Sequence, residues 1–222
     1  MVLRSRTLSR AIARVGWTRK KDAGSHVPRG GNERDEQARA TYRARGAGRT
    51  ADDFVGVDEC GSNRNVTPRY ARAPRGERAG GAIPRNTKQN TTLIASMTTA
   101  GMGPAMRLQG ATDTAAFATY IEQLLAPSLV PGKRVVLDTL SAHKHEPVRQ
   151  VIEARGCRVW FFPAYSPDLS PSEEAFSKLK TLLRRAEART REALAQAIAD
   201  ALHQITGQDA RGYFTHCGYG VQ

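Results

Sequence analysis

The sequence of 222 residues lacks the features of a membrane-spanning or disulfide-stabilised protein. It has no run of about 18 apolar residues, which argues against a membrane span. Arginines interrupt the apolar positions of residues 1–19, so this stretch is not a secretory signal, although an Arg-rich mitochondrial presequence remains an alternative. The cysteines, Cys60, Cys157 and Cys217, are widely spaced and form no Cys-x-x-Cys pair. Neither a zinc site nor a disulfide framework is indicated, and a reducing, cytoplasmic setting fits.

Acidic residues are scarce relative to basic ones. The chain has 34 Lys and Arg against 21 Asp and Glu, a net charge of +13. The excess is concentrated near the N-terminus, because residues 1–50 carry 13 Lys and Arg against 4 Asp and Glu. Such a charge favours a polyanionic partner, and nucleic acid is the commonest one. The alternative is a basic tail that serves only solubility.

The composition divides the chain into three regions. Residues 1–22 contain Leu8, Ile12 and Val15 at helical spacing, with a basic opposite face. Residues 23–51 are polar, Gly-rich and Arg-rich, which is typical of a basic linker. A helix from about 32 to 45 would have few apolar positions, so it would be lightly docked and contribute nothing to the core. The folded domain is expected to span residues 52–222.

Residues 52–222 predict a mixed α/β domain. Buried strands are predicted at 54–58, 90–99, 133–138 and 157–162, with one irregular strand between 64 and 85. Helices are predicted at 114–129, 147–156, 171–187 and 190–205, and the last two complete the chain. The strand ending at 138, the next helix and the strand at 157–162 predict a right-handed parallel crossover.

Three acids occur where such a fold collects functional side chains. Asp58 and Asp138 end predicted strands, and Glu173 opens a predicted helix. Cleavage or transfer at a phosphodiester requires charge neutralisation and an activated oxygen, which two Mg²⁺ ions about 3.5–4 Å apart can supply. Hard cations prefer carboxylate oxygens as ligands. These acids are therefore candidate metal ligands.

Three sequence blocks carry a resemblance to a known family. They read VDECG, VVLDTLSAHK and YSPDLSPSEEAFSKLK, and 34 residues separate Asp138 from Glu173. In these blocks and this interval the chain resembles the DDE transposases of bacterial insertion sequences, in the mariner-like superfamily. The resemblance implies an RNase H-like fold, with a mixed five-stranded sheet flanked by helices. It also implies that Asp58, Asp138 and Glu173 hold two Mg²⁺ or Mn²⁺ ions for DNA strand cleavage and transfer.

The same resemblance implies the partners of the chain. These would be double-stranded DNA, as transposon ends and target, and either further copies of the chain or an upstream-frame helix-turn-helix subunit. Residues 1–22 would be the remnant of a helix-turn-helix region, and the protein would be cytoplasmic and nucleoid-associated. The chain departs from the family pattern at Thr139, commonly Asn, and at residues 170–172, where Ser-Pro-Ser replaces Asn-Pro-Ile. Neither departure removes a ligand.

Basic side chains near these blocks are candidate DNA contacts. They are Arg14, Arg19, Lys20, Lys21, His143, Lys144, Lys178 and Arg185. On the helix that starts near 171, an ordinary solvated basic face is an alternative. Tyr165 could stack on a base, whereas Trp160 is expected in the core because it lies in a predicted strand.

Other interpretations remain open for each acid and for the whole chain. Asp58 and Asp138 could be polar residues at strand ends, and Glu173 could complete a capping box with Ser170. Neighbouring acids are weaker ligand candidates, and Asp168 is expected to cap or turn its loop. The chain could be an inactive DNA-binding remnant, a regulator of transposition, or an RNase H-like nuclease acting on another nucleic acid.

Overall fold

A five-stranded mixed sheet forms the centre of the computed structural model, which describes residues 18–19, 33–67, 72–78, 90–139, 145–164 and 166–221. The strands are β1 (Phe54–Ser62), β2 (Thr91–Thr98), β3 (Gly101–Gln109), β4 (Arg134–Leu137) and β5 (Arg158–Phe161). Their order in the sheet is β3-β2-β1-β4-β5. The first three strands pair antiparallel, whereas β4 runs parallel to both β1 and β5.

Helices cover both faces of the sheet. They are α1 (Glu33–Gly46), α2 (Thr114–Tyr120), α3 (Glu146–Ala154), α4 (Pro171–Ala186), α5 (Arg191–His203) and α6 (Gly207–His216). A π-helical turn, Ile121–Leu125, extends α2 into a short last segment, Ala126–Ser128. The α2 and α3 side packs on one face of the sheet, and α1, α4, α5 and α6 pack on the other. No helix in the described ranges could span a membrane.

The predicted mixed five-stranded sheet flanked by helices is confirmed, but its fifth strand was not predicted. The fifth strand is Gly101–Gln109 and does not come from residues 64–85. Within the described part of 64–85, only Arg72–Ala73 is extended, and it pairs with Thr18–Arg19. Thr18 and Arg19 are therefore a strand, so the helical spacing noted in residues 1–22 does not extend through them. Gly103 and Pro104 made the strand at 101–109 hard to predict, because both residues are unfavourable in strand interiors. They are tolerated here because this strand is at the edge of the sheet.

A third C-terminal helix was also missed. After α5, Thr206 caps α6, and its hydroxyl accepts from the Asp209 N–H while the Asp209 carboxylate accepts from the Thr206 N–H. This reciprocal pair is a capping box. The helix buries only Ala210 and Phe214, so its apolar periodicity is weak. The prediction of two final helices was therefore wrong.

The helix predicted in the basic linker contributes to the core through one residue. Tyr42 of α1 is 9% exposed, and its ring centroid lies 5.9 Å from that of Trp160 and 5.7 Å from that of Phe162. The rest of α1 is mostly exposed, as its charged composition predicts. The expectation that this helix adds nothing to the core was wrong at Tyr42.

Candidate active site

The two aspartates come together through the parallel pairing of β1 with β4. Gly56 pairs with Val136, and continuing this register by two residues brings Asp58 level with Asp138. Both side chains line the same cavity. Asp58 does not end its strand as predicted, since β1 continues to Ser62 beside β2. It lies instead where β4 separates from β1, which opens space above the sheet.

Alternation along β1 decides the face on which Asp58 lies. Val55 and Val57 belong to the apolar cluster beneath α2 and α3, whereas Phe54 and Cys60 belong to the cluster beneath α4, α5 and α6. Because successive side chains point to opposite faces, Asp58 lies on the α4 side and Glu59 on the other. Glu59 is therefore on the wrong face to join a site with α4.

Glu173 lies in the first turn of α4 and is not committed to capping it. The Ser170 side chain makes no cap hydrogen bond, and the Ser170 N–H donates to the Pro167 carbonyl at 3.0 Å. The capping box considered from the sequence is therefore not formed. The Glu173 side chain is exposed and faces a cavity.

A glycine allows α4 to approach the sheet at this point. A β-carbon at Gly56 would lie 2.9 Å from the Ser172 hydroxyl oxygen, closer than real β-carbon contacts come. Ser172 is 2% exposed, so its side chain is packed between helix and strand. The first turn of α4 thus rests directly on β1, which brings Glu173 to the strand that carries Asp58.

The three acids line one cavity of about 240 Å³. The remaining wall is formed by the ends of β4 and β5 and by the loop before α4, namely Thr139, Phe162, Pro163, Ala164, Ser166, Pro167 and Ser170. Burial raises the pKa of the nearby Cys60 thiol to about 11; the positive charge of Lys180 opposes this effect, and the negative charges of Asp58 and Glu173 add to it. Among the described residues that line the cavity, three are carboxylic acids and none is Lys or Arg.

The three carboxylates are the type of ligand that a hard divalent cation prefers, but they do not converge on one point. Oxygen-only carboxylate ligands suit Mg²⁺ or Mn²⁺ better than softer metals. Within the described ranges, no three His, Cys, Asp or Glu side chains already form a metal-ligand group. One Asp58 oxygen accepts from the Glu59 N–H at 2.7 Å. Because like charges repel one another, convergence of the three carboxylates would require a cation to offset their repulsion.

The residues predicted to contact DNA differ in where the structure places them. Arg14, Lys20, Lys21, His143, Lys144 and Tyr165 lie outside the described residues, as does the side chain of Arg19. Lys178 has another partner, because its ammonium lies 2.7 Å from the Asp209 carboxylate on α6. Arg185 is exposed at the rim of a groove between α4 and α5. Trp160 is buried, as expected.

Residues that the sequence did not single out support the loop before α4. Asp168 forms ion pairs with Arg39 and Arg43 of α1, so it joins helix to loop in addition to turning the chain. The Tyr219 hydroxyl donates to the Leu169 carbonyl at 3.0 Å, and the Tyr42 hydroxyl lies 2.9 Å from the Tyr219 hydroxyl. These contacts surround a larger cavity of about 600 Å³ that contains none of the three candidate ligands. No local pattern could reveal them, since the partners are distant in sequence.

Comparison with known proteins gives the family. The chain is similar to the Mos1 mariner paired end complex with Mg (19% identity, TM-score 0.67, 96% of this chain and 68% of that one) and to the complex with Mn (19%, 0.66, 96% and 66%). It is also similar to the catalytic domain of Mos1 mariner transposase (15%, 0.54, 89% and 100%). It thus spans about two thirds of the transposase in the paired end complexes. No curated protein matches it significantly in sequence. Residues 53–195 match the family described as DDE superfamily endonuclease, and the chain belongs to that family.

Proposed function

We propose that the chain is the catalytic portion of a transposase, which cleaves DNA at insertion-sequence ends and transfers the strand to target DNA. Asp58, Asp138 and Glu173 would be its metal ligands and catalytic carboxylates. The observation that supports this most strongly is that three acids far apart in sequence line one cavity. Two of them come from adjacent strands and the third from the helix that rests on those strands.

The cavity would bind two Mg²⁺ or Mn²⁺ ions between the three carboxylates. Bound ions would neutralise charge on the phosphoryl group and favour the deprotonated form of the attacking hydroxyl. The protein's contribution is to hold the ligands. Asp58 and Asp138 are carried by hydrogen-bonded strands, and Glu173 is carried by a helix whose first turn is buried. These supports fix the backbone positions from which the three carboxylates would converge on the ions.

The proposals for the reaction, the partners and the division of the chain rest on the sequence and on the activities of the proteins with similar structures. The Mos1 structures include a strand transfer complex and a pre-cleavage transpososome, which is the reason to propose transposition ahead of other nuclease activities. We accordingly propose double-stranded DNA as the partner, and self-association or pairing with an upstream-frame helix-turn-helix subunit. Residues 1–22 would then be a DNA-binding remnant, 23–51 a linker and 52–222 the catalytic domain of a bacterial, nucleoid-associated enzyme.

The test is nicking and strand transfer, with Mn²⁺ supplied, on a duplex that carries an inverted repeat identified in the DNA on either side of the gene. Asp138→Asn and Glu173→Gln should each lower the rate at least about a hundredfold, since each removes an electrostatic ligand. Glu174→Gln is the matched control, because Glu174 is the next residue on α4, lies outside the cavity and faces His216 at 3.6 Å. Wild-type rates in either ligand variant would refute the assignments.

Substrate choice separates the remaining functions. A nuclease of different specificity would cut RNA–DNA hybrids or branched DNA faster than the end-containing duplex. An inactive remnant or a regulator would bind DNA in a salt-sensitive way and show no Mn²⁺-dependent cleavage. Either result would overturn the transposase proposal while leaving the family membership intact.

A further inference from the structure

Four arginines gather at the end of the parallel strands that is opposite to the three carboxylates. Arg134 and Arg158 begin β4 and β5 and pair with each other in register. Arg45 and Arg49 reach the same surface from the end of α1, where their guanidinium carbons lie 4.2 and 5.8 Å from the centroid of the Trp160 ring. Trp160 is two residues beyond Arg158 and therefore on the same face of β5. We call these four residues the arginine cluster.

The positive charge of the arginine cluster is poorly compensated. Asp53 lies 3.8 Å from Arg134, and within the described ranges it is the only acid that forms a salt bridge with any of the four. Burial lowers the pKa of the Arg134 guanidinium, and the positive charge of Arg49 lowers it further. The Nε of Arg134 is buried and has no hydrogen-bond partner within those ranges. Four cations held together with one acid are electrostatically suited to an anion.

The surface beside the cluster is concave. A depression of about 480 Å³ is lined by Arg45, Arg158 and Arg149, with Glu153 and the turn at residues 156–157 completing its wall. Glu153 is engaged by Arg149 at 2.8 Å, so it does not neutralise the other two arginines. Both Arg45 and Arg158 are exposed and can reach into the depression. Arg45 is already held in place by stacking on the Trp160 ring, so a ligand that binds Arg45 would order it at little further cost in entropy.

We propose that the arginine cluster is a binding site for backbone phosphates of duplex DNA, separate from the carboxylate cavity. The planar guanidinium fork pairs with phosphate oxygens in a bidentate way, which favours phosphate as the anion. Arg134 and Asp138 are four residues apart on one strand, about 13 Å at 3.3 Å per residue. The cluster therefore lies at the end of β4 away from the carboxylates, and phosphate contacts there would position DNA without entering the carboxylate cavity. The choice of DNA rests on the proposed function.

Metal-free DNA binding tests this site without requiring cleavage. Fluorescence anisotropy with a labelled duplex in EDTA, at several salt concentrations, would compare wild type with Arg45→Gln/Arg158→Gln. Removing two phosphate contacts should lower the slope of log K against log salt by about 1.8 and weaken binding about tenfold or more near 0.1 M salt. The charge-matched control is Arg107→Gln/Arg211→Gln, whose residues are exposed on β3 and α6. It should change the affinity less than about threefold and leave the slope nearly unaltered.

The outcomes separate this proposal from the proposed function. Equal losses in the two double variants would mean that only net charge matters and would overturn the site. A larger effect on RNA or on an acidic peptide than on duplex DNA would overturn DNA as the ligand. If Asp138→Asn loses cleavage but keeps wild-type affinity, and the Arg45→Gln/Arg158→Gln variant loses affinity relative to its control, both proposals stand. If wild type never cleaves yet the arginine variants lose binding, only the catalytic proposal fails. Arg158→Gln alone, on the sheet, serves if α1 unfolds in the double variant.

Discussion

The Ser172 hydroxyl oxygen lies 2.9 Å from the point where a β-carbon on Gly56 would stand. Gly56 is two residues before Asp58 on β1, and Ser172 is one residue before Glu173 on α4. The spacing between strand and helix in the candidate site therefore depends on the absence of a side chain at residue 56. Any larger residue must displace the buried Ser172 hydroxyl, the strand or the first turn of α4.

Gly56→Ala is expected to destabilise the fold and to impair the site together. Overpacking a buried contact costs about 1–3 kcal/mol, and the displaced turn carries Glu173 away from Asp58. Urea unfolding and Mn²⁺-dependent nicking measure the two effects. Gly212→Ala is the control, because no atom lies within 4 Å of its added β-carbon and Gly212 is inside α6. That variant should gain about 0.5–1 kcal/mol. Unchanged stability in Gly56→Ala would contradict the close contact.

Removing one carboxylate is expected to separate stability from metal response. In metal-free buffer, Asp138→Asn relieves repulsion between Asp58, Asp138 and Glu173 but also alters the contact that Asp138 makes, so its stability there is the baseline for the metal response. Mn²⁺ at about 100 times its dissociation constant should stabilise wild type by about 2.7 kcal/mol and the variant far less. Thermal unfolding with Mn²⁺, against NaCl of equal ionic strength, measures this. Equal stabilisation of both proteins would show that Mn²⁺ binds elsewhere.

The sequence was sufficient to predict the sheet around the acids. Val135, Val136 and Leu137 form a short buried run, so the strand before Asp138 and its parallel partner at 158–161 could be predicted from apolar pattern and length. The Pro171 position likewise predicts the start of α4. Local rules succeed here because these segments are buried in the fold, as their apolar sequence pattern predicts.

Features that depend on distant contacts could not be predicted. Strand β3 contains Gly103 and Pro104 and is only partly buried, so its strand character comes from pairing with β2. In the sequence, Tyr42 is a single aromatic residue within a charged helix. Its burial depends on contacts with Trp160 and Phe162, which are distant along the chain. The capping box between Ser170 and Glu173 satisfied a local rule and is not formed, because the Pro167 carbonyl already accepts from the Ser170 N–H.

Tyr219→Phe is expected to destabilise the loop that precedes α4. The Tyr219 hydroxyl donates to the Leu169 carbonyl, and Leu169 is 1% exposed, so the carbonyl would lose a buried donor. Burial raises the pKa values of both Tyr42 and Tyr219, that of Tyr42 to about 12, so both phenols stay neutral donors at pH 7. An unpaired buried group costs about 1–3 kcal/mol.

Urea unfolding would measure the loss, with Tyr213→Phe on α6 as the control, because that side chain is partly exposed. The nicking rate of Tyr219→Phe should fall as well, since Leu169 is one residue before the cap of α4. A Tyr219→Phe protein with the stability and nicking rate of wild type would show that this hydrogen bond does not support the site.

The ion pair between Lys178 and Asp209 predicts a pH-dependent contribution to stability. The Lys178 ammonium and hydrogen bonds from Thr206 together lower the pKa of the Asp209 carboxyl to about 2. Because the folded-state pKa is depressed, the stabilisation is present above about pH 4 and is lost as the pH falls toward 2. Lys178→Met should therefore cost about 1 kcal/mol at pH 7, allowing for solvent screening of these partly exposed groups.

Urea unfolding between pH 7 and 2 would follow this difference, and it should shrink below about pH 4. A difference that stays constant with pH would mean that the variant loses packing of the lysine stem and not an ion pair. Arg185→Met, an exposed basic residue on the same helix, should cost little at any pH. The same variants decide whether Lys178 also contacts DNA. A phosphate contact would lower the salt slope of binding by about 0.9, whereas a lysine held by Asp209 should leave it unchanged.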